Sequence, residues 1–376
     1  MPALKDFDYS LPKELIAAYP PKERAGARLL RVDRRTGEYS HHIFRDILQF
    51  FEPGDLLVLN NTKVLPARIF GKKETGGKVE ALLLKEKEDG VWEALLRPGG
   101  RIRKGATLNF GENGFTPHPT PLPLRGRGQA ARRASLARGQ GEGDVRLQAE
   151  VLEDFSPKSR VRLLRFENTN VRGVLEKIGH IPLPPYLGRP DSEIDRERYQ
   201  TVFAEKPGAA ASPTAGLHFD KKLLDELERK GIEIVCVTLH VSYGTFQTIA
   251  EEDLSRHQMF EEEFEVVPEA AGKINRAKQQ GRRVVACGTT TVRTLESAAE
   301  GEGVVRPQHS ATRFFIYPAY EFKIVDGLIT NFHLPKSSLL MLVAAFVGRD
   351  PLMRAYEEAI RERYSFYSYG DAMVIL

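Results

Sequence analysis

Five short stretches of the chain set hydroxyl, amide and imidazole groups where an apolar run gives way to a turn. The first is Asn60-Asn61-Thr62-Lys63-Val64-Leu65-Pro66-Ala67-Arg68, after the apolar run Leu56-Leu57-Val58-Leu59. Paired asparagines at such a place either bind something or make a turn, which asparagine favours. The second, Ser212-Pro213-Thr214-Ala215-Gly216-Leu217-His218-Phe219, carries two hydroxyls and an imidazole into the start of a helix, where backbone N–H groups favour anions. An ordinary helix cap with a surface histidine reads equally well. The third, Leu239-His240-Val241-Ser242-Tyr243-Gly244-Thr245-Phe246, ends another apolar run. The fourth, Cys287-Gly288-Thr289-Thr290-Thr291-Val292-Arg293, has the form strand, glycine turn, helix start and suits a carboxylate, phosphate or ribose; Thr289 as a plain helix cap is the alternative. Glu296 follows three residues after Arg293, a spacing that also fits a surface ion pair on one helix face. The fifth is Asn331-Phe332-His333-Leu334-Pro335-Lys336. Histidine titrates near neutrality and suits proton transfer, so His218, His240 and His333 are the candidate acid–base groups.

These stretches need rigid elements to hold them. A helix over 220–230 has Asp220 as its cap, apolar Leu223, Leu224 and Leu227, and Gly231 at its end. Strands over 232–241 and 283–287 alternate with helices over 269–280 and 291–299, which calls for a partly parallel sheet. In such sheets ligands sit beyond the carboxyl ends of the strands. A helix is also expected over 192–203, a hairpin around Arg35-Thr36-Gly37, a second hairpin about Asp326-Gly327, and closing helices over 337–347 and 351–364. Between the first asparagine stretch and this α/β region the texture changes. Short strands over 67–72, 78–87, 91–97, 106–110, 145–155 and 160–166, with no helix among them, predict a small barrel or sandwich inserted in the host domain.

Composition narrows the class. The chain has 376 residues, enough for two domains and a large core. Two cysteines, Cys236 and Cys287, rule out a disulfide framework and a cysteine-rich zinc site, and fit a reducing cytoplasm. No signal-peptide layout opens the chain, and the apolar run over 339–347 is too short to cross a bilayer. The net charge of +4 resides in residues 117–143, where five arginines face one glutamate, so the rest of the chain is neutral and any RNA site must be a local patch. Residues 115–144 are rich in Pro, Gly and Arg with almost nothing to bury, and read as a mobile loop insertion; an RNA-binding arm is the alternative. No GxGxxG loop after a strand, Walker A loop, GxSxG, HExxH or CxxC is present. From the residues alone the reading is an α/β enzyme that binds a small polar ligand.

The same stretches, together with Phe7-Asp8-Tyr9-Ser10-Leu11-Pro12, Gly179-His180-Ile181-Pro182-Leu183-Pro184-Pro185-Tyr186 and Tyr199-Gln200-Thr201-Val202-Phe203, resemble the S-adenosylmethionine:tRNA ribosyltransferase-isomerase family over nearly the whole chain. Two places depart from the family pattern. Residues 115–144 look like an extra insertion, and Ser242-Tyr243-Gly244-Thr245-Phe246-Gln247 replaces a more usual Gly-x-Gly-Thr-Phe-x run.

The resemblance implies an α/β main domain with an inserted six-stranded antiparallel β-barrel: residues 1–61 and 168–376 for the former, 62–167 for the latter. It implies a reaction in which S-adenosylmethionine is consumed as ribosyl donor. The acceptor is the aminomethyl group of 7-aminomethyl-7-deazaguanine at the tRNA wobble position, and the products are epoxyqueuosine-tRNA, adenine and methionine. No metal or prosthetic group is expected, nor a membrane partner, and the chain is expected to be a monomer. The site residues expected on this basis are His240, His218 and His333 for catalysis. Substrate binding is expected from Asn60, Asn61, Arg68, Thr214, Gly216, Phe219, Gly244, Thr245, Thr289, Thr290, Arg293, Glu296 and Asn331. Two competing classes are a non-catalytic RNA-binding protein that uses its barrel, and a conventional methyltransferase, which would carry a glycine-rich loop not found here.

Overall fold

The computed structural model describes residues 3–111, 145–154, 161–168, 170–242, 249, 251 and 254–376. Residues 115–144, Gly244 and Thr245 lie outside them. The chain divides into two compact units, one of residues 1–64 and 194–376, the other of residues 65–193. The return crossing thus falls well after the expected 167/168. Residues 168–193 stay with the barrel because the backbones of His180 and Arg68 bond to each other, N–H to C=O in both directions (2.8 and 3.2 Å).

Strands β1 (Arg28–Val32) and β2 (Tyr39–Ile43) form the expected hairpin. The Asp33 carboxylate accepts from the backbone N–H of Arg35 and Thr36, both at 2.9 Å, and Gly37 turns the chain at φ +71°. Strand β3 (Leu56–Asn60) is buried throughout, and β4 (Thr62–Val64) follows it. The second unit comprises β5 (Arg68–Lys73), β6 (Lys78–Glu88), β7 (Val91–Arg97), β8 (Thr107–Gly111), β9 (Arg146–Val151), β10 (Val161–Phe166) and helix α1 (Val171–Ile178). Its strands close into an antiparallel barrel in the order β10-β7-β6-β5-β8-β9, with burial alternating along β9 and β10 as the sequence does. Closure leaves no open edge, which resolves barrel against sandwich.

The chain then runs through α2 (Glu193–Arg198), β11 (Lys206–Ala209), α3 (Lys221–Arg229), β12 (Glu233–Leu239), β13 (Glu262–Val266), α4 (Pro268–Gln279), β14 (Val284–Cys287), α5 (Thr289–Ser297), β15 (Gln308–Thr312), β16 (Gly327–Asn331), α6 (Ser338–Val347), α7 (Arg349–Arg361) and β17 (Ala372–Ile375). The main sheet has the order β15-β13-β12-β3-β14-β16-β17-β1-β2, while β4 and β11 make a separate parallel pair. Strands β12, β3, β14 and β16 are mutually parallel, so their carboxyl ends share one edge. One face of the sheet, with Leu57, Leu59, Val285, Cys287 and Ile329, packs on Phe44, Phe219, Leu223 and Leu227. The other face meets α5, which contacts β12, β3, β14 and β16.

Three local expectations need correction. Helix α2 stops at Arg198 rather than 203, because the Gln200 side chain brackets Val64, accepting from its N–H at 3.0 Å and donating to its carbonyl at 2.7 Å. Helix α5 begins at Thr289 rather than 291, and its cap is Gly288 at φ +90°, not Thr289. The hairpin about Asp326-Gly327 does not form: β16 pairs with β14 and β17, and residues 321–325 are not a strand. Asp326 instead accepts from the Val284 N–H at 2.9 Å and from Lys278 Nζ at 2.8 Å, and the N–H groups of residues 323–325 go to Glu296.

Candidate functional site at the carboxyl edge of the parallel strands

Asn60 ends β3 and is fully used by its neighbours. Its Oδ1 accepts from the N–H groups of Thr62 and Leu239, both at 3.1 Å, and its Nδ2 donates to the Leu239 carbonyl (3.0 Å) and Thr290 Oγ1 (3.2 Å). One buried amide thereby ties the ends of β3 and β12 to the first turn of α5. Asn61 is similarly engaged, donating to Glu205 Oε2 at 3.0 Å and accepting from Thr238 Oγ1 at 2.7 Å.

His240 follows β12. Its backbone N–H donates to the Glu263 carbonyl at 2.9 Å, and its ring Nδ1 lies 2.8 Å from Thr62 Oγ1. The loop over 210–218 is drawn to the same edge by a bond from the Ala210 N–H to the Val241 carbonyl at 3.0 Å. Within it, residues Thr214–His218 form a single 3-10 turn. A side chain on Gly216 would meet Thr201 Cγ2 and Phe203 Cζ at 2.8 Å, so only glycine fits there. Phe219 is fully buried in the core beneath.

His218 is 3 % exposed and stacks on Phe44 with ring centroids 5.0 Å apart. Its Nε2 lies 3.1 Å from Asn331 Nδ2, which also donates to the Tyr367 carbonyl at 3.1 Å. His333 is held by Thr330, with Nε2 2.6 Å from Oγ1. Its N–H donates to the Tyr356 hydroxyl at 2.8 Å, and its carbonyl accepts from the Tyr9 hydroxyl. Consecutive residues of a strand point to opposite faces. Asn331 with His218 and Thr330 with His333 therefore occupy opposite faces of β16. The three imidazoles do not form one cluster, although each stands at the carboxyl edge. Burial pushes His218 down to about 3, helped by the positive charge of Arg24, and burial alone does the same to His333. Both are neutral at pH 7 and are weak bases.

Arg293 and Glu296 are not a surface pair: they are 1 % and 5 % exposed and turn to different partners. Arg293 pairs with the buried Glu262 of β13 and donates from Nε to the Phe314 carbonyl at 3.2 Å. Glu262 also accepts from the Ser242 N–H at 2.8 Å, which places this pair beside the end of β12. Glu296 is taken up by the N–H groups of Lys323 (3.0 Å), Ile324 and Val325 (both 3.1 Å) and by the Tyr320 hydroxyl (2.8 Å). Arg68 belongs to the barrel unit, where its Nη2 donates to the Leu183 carbonyl at 3.2 Å and its Nε is 3.4 Å from Glu80. Thr62 and Glu262 were missed from sequence. Thr62 sits beside the two asparagines and Glu262 in the middle of an acidic run, so nothing local distinguishes them.

Several buried polar atoms near this edge have no protein partner among the described residues: Arg293 Nη2, Asn331 Oδ1, Ser212 Oγ and Ser242 Oγ. A buried donor or acceptor left unpaired costs about 1–3 kcal/mol, a cost that a polar ligand or an ordered water would offset. The thiols are poor nucleophiles, since burial and Glu205 push Cys236 up to about 11 and burial raises Cys287 further. Among the described residues no three His, Cys, Asp or Glu side chains group as metal ligands, and no helix is long and apolar enough to cross a membrane.

Residues 4–375 match the sequence family described as queuosine biosynthesis protein. Relatives named S-adenosylmethionine:tRNA ribosyltransferase-isomerase include one from Carboxydothermus hydrogenoformans, 46% identical over 374 residues and 99% of each chain. Another, from Clostridioides difficile, is 44% identical over 373 residues and 99% of each chain. The solved structure of the S-adenosylmethionine tRNA ribosyltransferase of Thermotoga maritima is similar at 36% identity and a TM-score of 0.50, covering 99% of this chain and 100% of that one.

Proposed function

The chain belongs to the S-adenosylmethionine:tRNA ribosyltransferase-isomerase family of queuosine biosynthesis, and from that premise we propose that it transfers and isomerises the ribosyl part of S-adenosylmethionine onto 7-aminomethyl-7-deazaguanine at the tRNA wobble position. The products are epoxyqueuosine-tRNA, adenine and methionine. The observation that carries this reading is the shared edge of β3, β12, β14 and β16, where β3 and β16 end in Asn60 and Asn331 and where His240 and Gly288 directly follow β12 and β14. S-adenosylmethionine offers ribose hydroxyls, a carboxylate, an ammonium and adenine nitrogens, and the unpaired buried atoms Arg293 Nη2, Asn331 Oδ1, Ser212 Oγ and Ser242 Oγ are complementary to such groups. The start of α5 adds N–H groups that favour an anion.

The sulfonium acidifies the carbon next to it, so a base near that carbon starts the chemistry, and a proton delivered to adenine assists its departure. His240 is the base in this reading. It is half-buried and comes off the rigid end of β12, whereas His218 and His333 are neutral, deeply buried and hydrogen-bonded to Asn331 and Thr330. His218 and Asn331 orient the donor. Incubation with S-adenosylmethionine and precursor tRNA tests the function. Equimolar adenine and methionine with modified tRNA are expected. S-adenosylhomocysteine would show a methyltransferase, and tRNA binding without turnover a binding protein.

A further inference from the structure

His240 is held from below as well as from the side. Strands β4 and β11 pair in parallel, Lys206 with Thr62 and Pro207 with Lys63, but the register then slips so that Ala209 faces Val64. The residue passed over is Gly208. A Cβ built on Gly208 would lie 2.7 Å from Cε1, 2.8 Å from Nδ1 and 2.9 Å from Nε2 of His240. No real side chain tolerates such contacts, so the imidazole rests flat on the bare backbone of the bulge. Bulges re-aim what they touch and mark places where something approaches the backbone closely. The same ribbon supplies Thr62, whose hydroxyl lies 2.8 Å from the ring Nδ1.

We propose that Gly208 and Thr62 are positioning residues for His240: the bulge fixes the plane of the imidazole, and the Thr62 hydroxyl fixes its rotation. This rests on the assignment of His240 as base. A Cβ at position 208 meets the movable end of a side chain rather than backbone, so it is the imidazole that gives way, losing its bond to Thr62.

The test compares Gly208→Ala, Thr62→Val, Thr62→Ser and His240→Ala, with the double variant Gly208→Ala/His240→Ala. Gly208→Ala is expected to lower kcat by about tenfold to a hundredfold, the scale of a 1 Å misplacement, with KM for S-adenosylmethionine within about twofold. In the His240→Ala background, where the obstruction is gone, it should fold normally and cost nothing further. Thr62→Val should lower kcat and shift its pH dependence, and Thr62→Ser should restore both. The His240 imidazole resonances should move in Gly208→Ala and Thr62→Val. The proposal is overturned if Gly208→Ala leaves kcat and the resonances unchanged, or if it costs the same factor with and without His240. Normal turnover by His240→Ala would sink the base assignment alone, and the resonances would still decide whether Gly208 and Thr62 hold the ring.

Discussion

At the scale of single residues, the three histidines separate by environment. Replacing His240 with Ala is expected to abolish most turnover with little change in donor binding, whereas His218→Ala should mainly weaken donor binding, as read by single-turnover adenine release and a binding titration. Equal turnover in all variants would move proton transfer to a carboxylate, a hydroxyl or the substrate amine. The two buried imidazoles also set an acid limit on stability. Each has a folded-state value of about 3 against 6.5 when exposed. Below pH 6.5 the unfolded chain takes up protons that the folded chain does not, so stability falls as pH drops from 6.5 towards 3. Each histidine contributes about 1.4 kcal/mol per pH unit in that window. Urea denaturation at pH 7 and pH 5 should show His218→Asn losing roughly 2 kcal/mol less than the parent over that step. Parallel pH dependences would show that His218 titrates normally.

At the scale of elements, Glu296 is the side chain through which α5 holds the segment before β16. Its carboxylate accepts from three consecutive backbone N–H groups and one tyrosine hydroxyl. Glu296→Ala leaves those amides unpaired and should cost about 3 kcal/mol in denaturant unfolding, while Tyr320→Phe, which removes one bond, should cost about 1 kcal/mol. Similar losses from both would mean that the amides find other partners. This carboxylate also shows what sequence reading can and cannot reach. Helix α3 was legible because its cap, its apolar stripe and its terminal glycine are neighbours in sequence, and Asp220 does accept from the Leu223 N–H at 2.8 Å. The barrel strands were legible because alternation is local. Asp326-Gly327 carried the strongest local turn signal, yet Glu296 and Val284, 27 or more residues earlier in the chain, claim the groups that a hairpin would need. At the site, the strand ends bearing histidine and asparagine could be read directly. That Asn60 is spent on Leu239 and Thr290, and that Gly208 carries an imidazole, depends on which strands become neighbours.

At the scale of the whole molecule, the barrel does not depend on residues 115–144 for closure. Strands β8 and β9 pair directly, and their last partners are Gly111 and Arg146. Replacing residues 112–145 with a short Asn-Gly turn should therefore keep the barrel folded, with turnover within about threefold, because hairpins of this kind favour such turns. A large loss of tRNA affinity at moderate salt would instead assign the five arginines of that segment to RNA binding. The main sheet is assembled in a different manner. Strand β17, residues 372–375, lies between β16 and β1, and among the described strands it alone joins the first hairpin to the parallel strands. During synthesis the β1 and β2 hairpin must wait through more than three hundred residues for its neighbour, while the barrel, whose strands lie closer together in sequence, can close long before. The inserted unit is therefore expected to mature first on the ribosome and the opening strands last, an order that limited proteolysis of stalled nascent chains would read. A nascent chain halted before residue 372 would leave β1 and β16 each with an open edge.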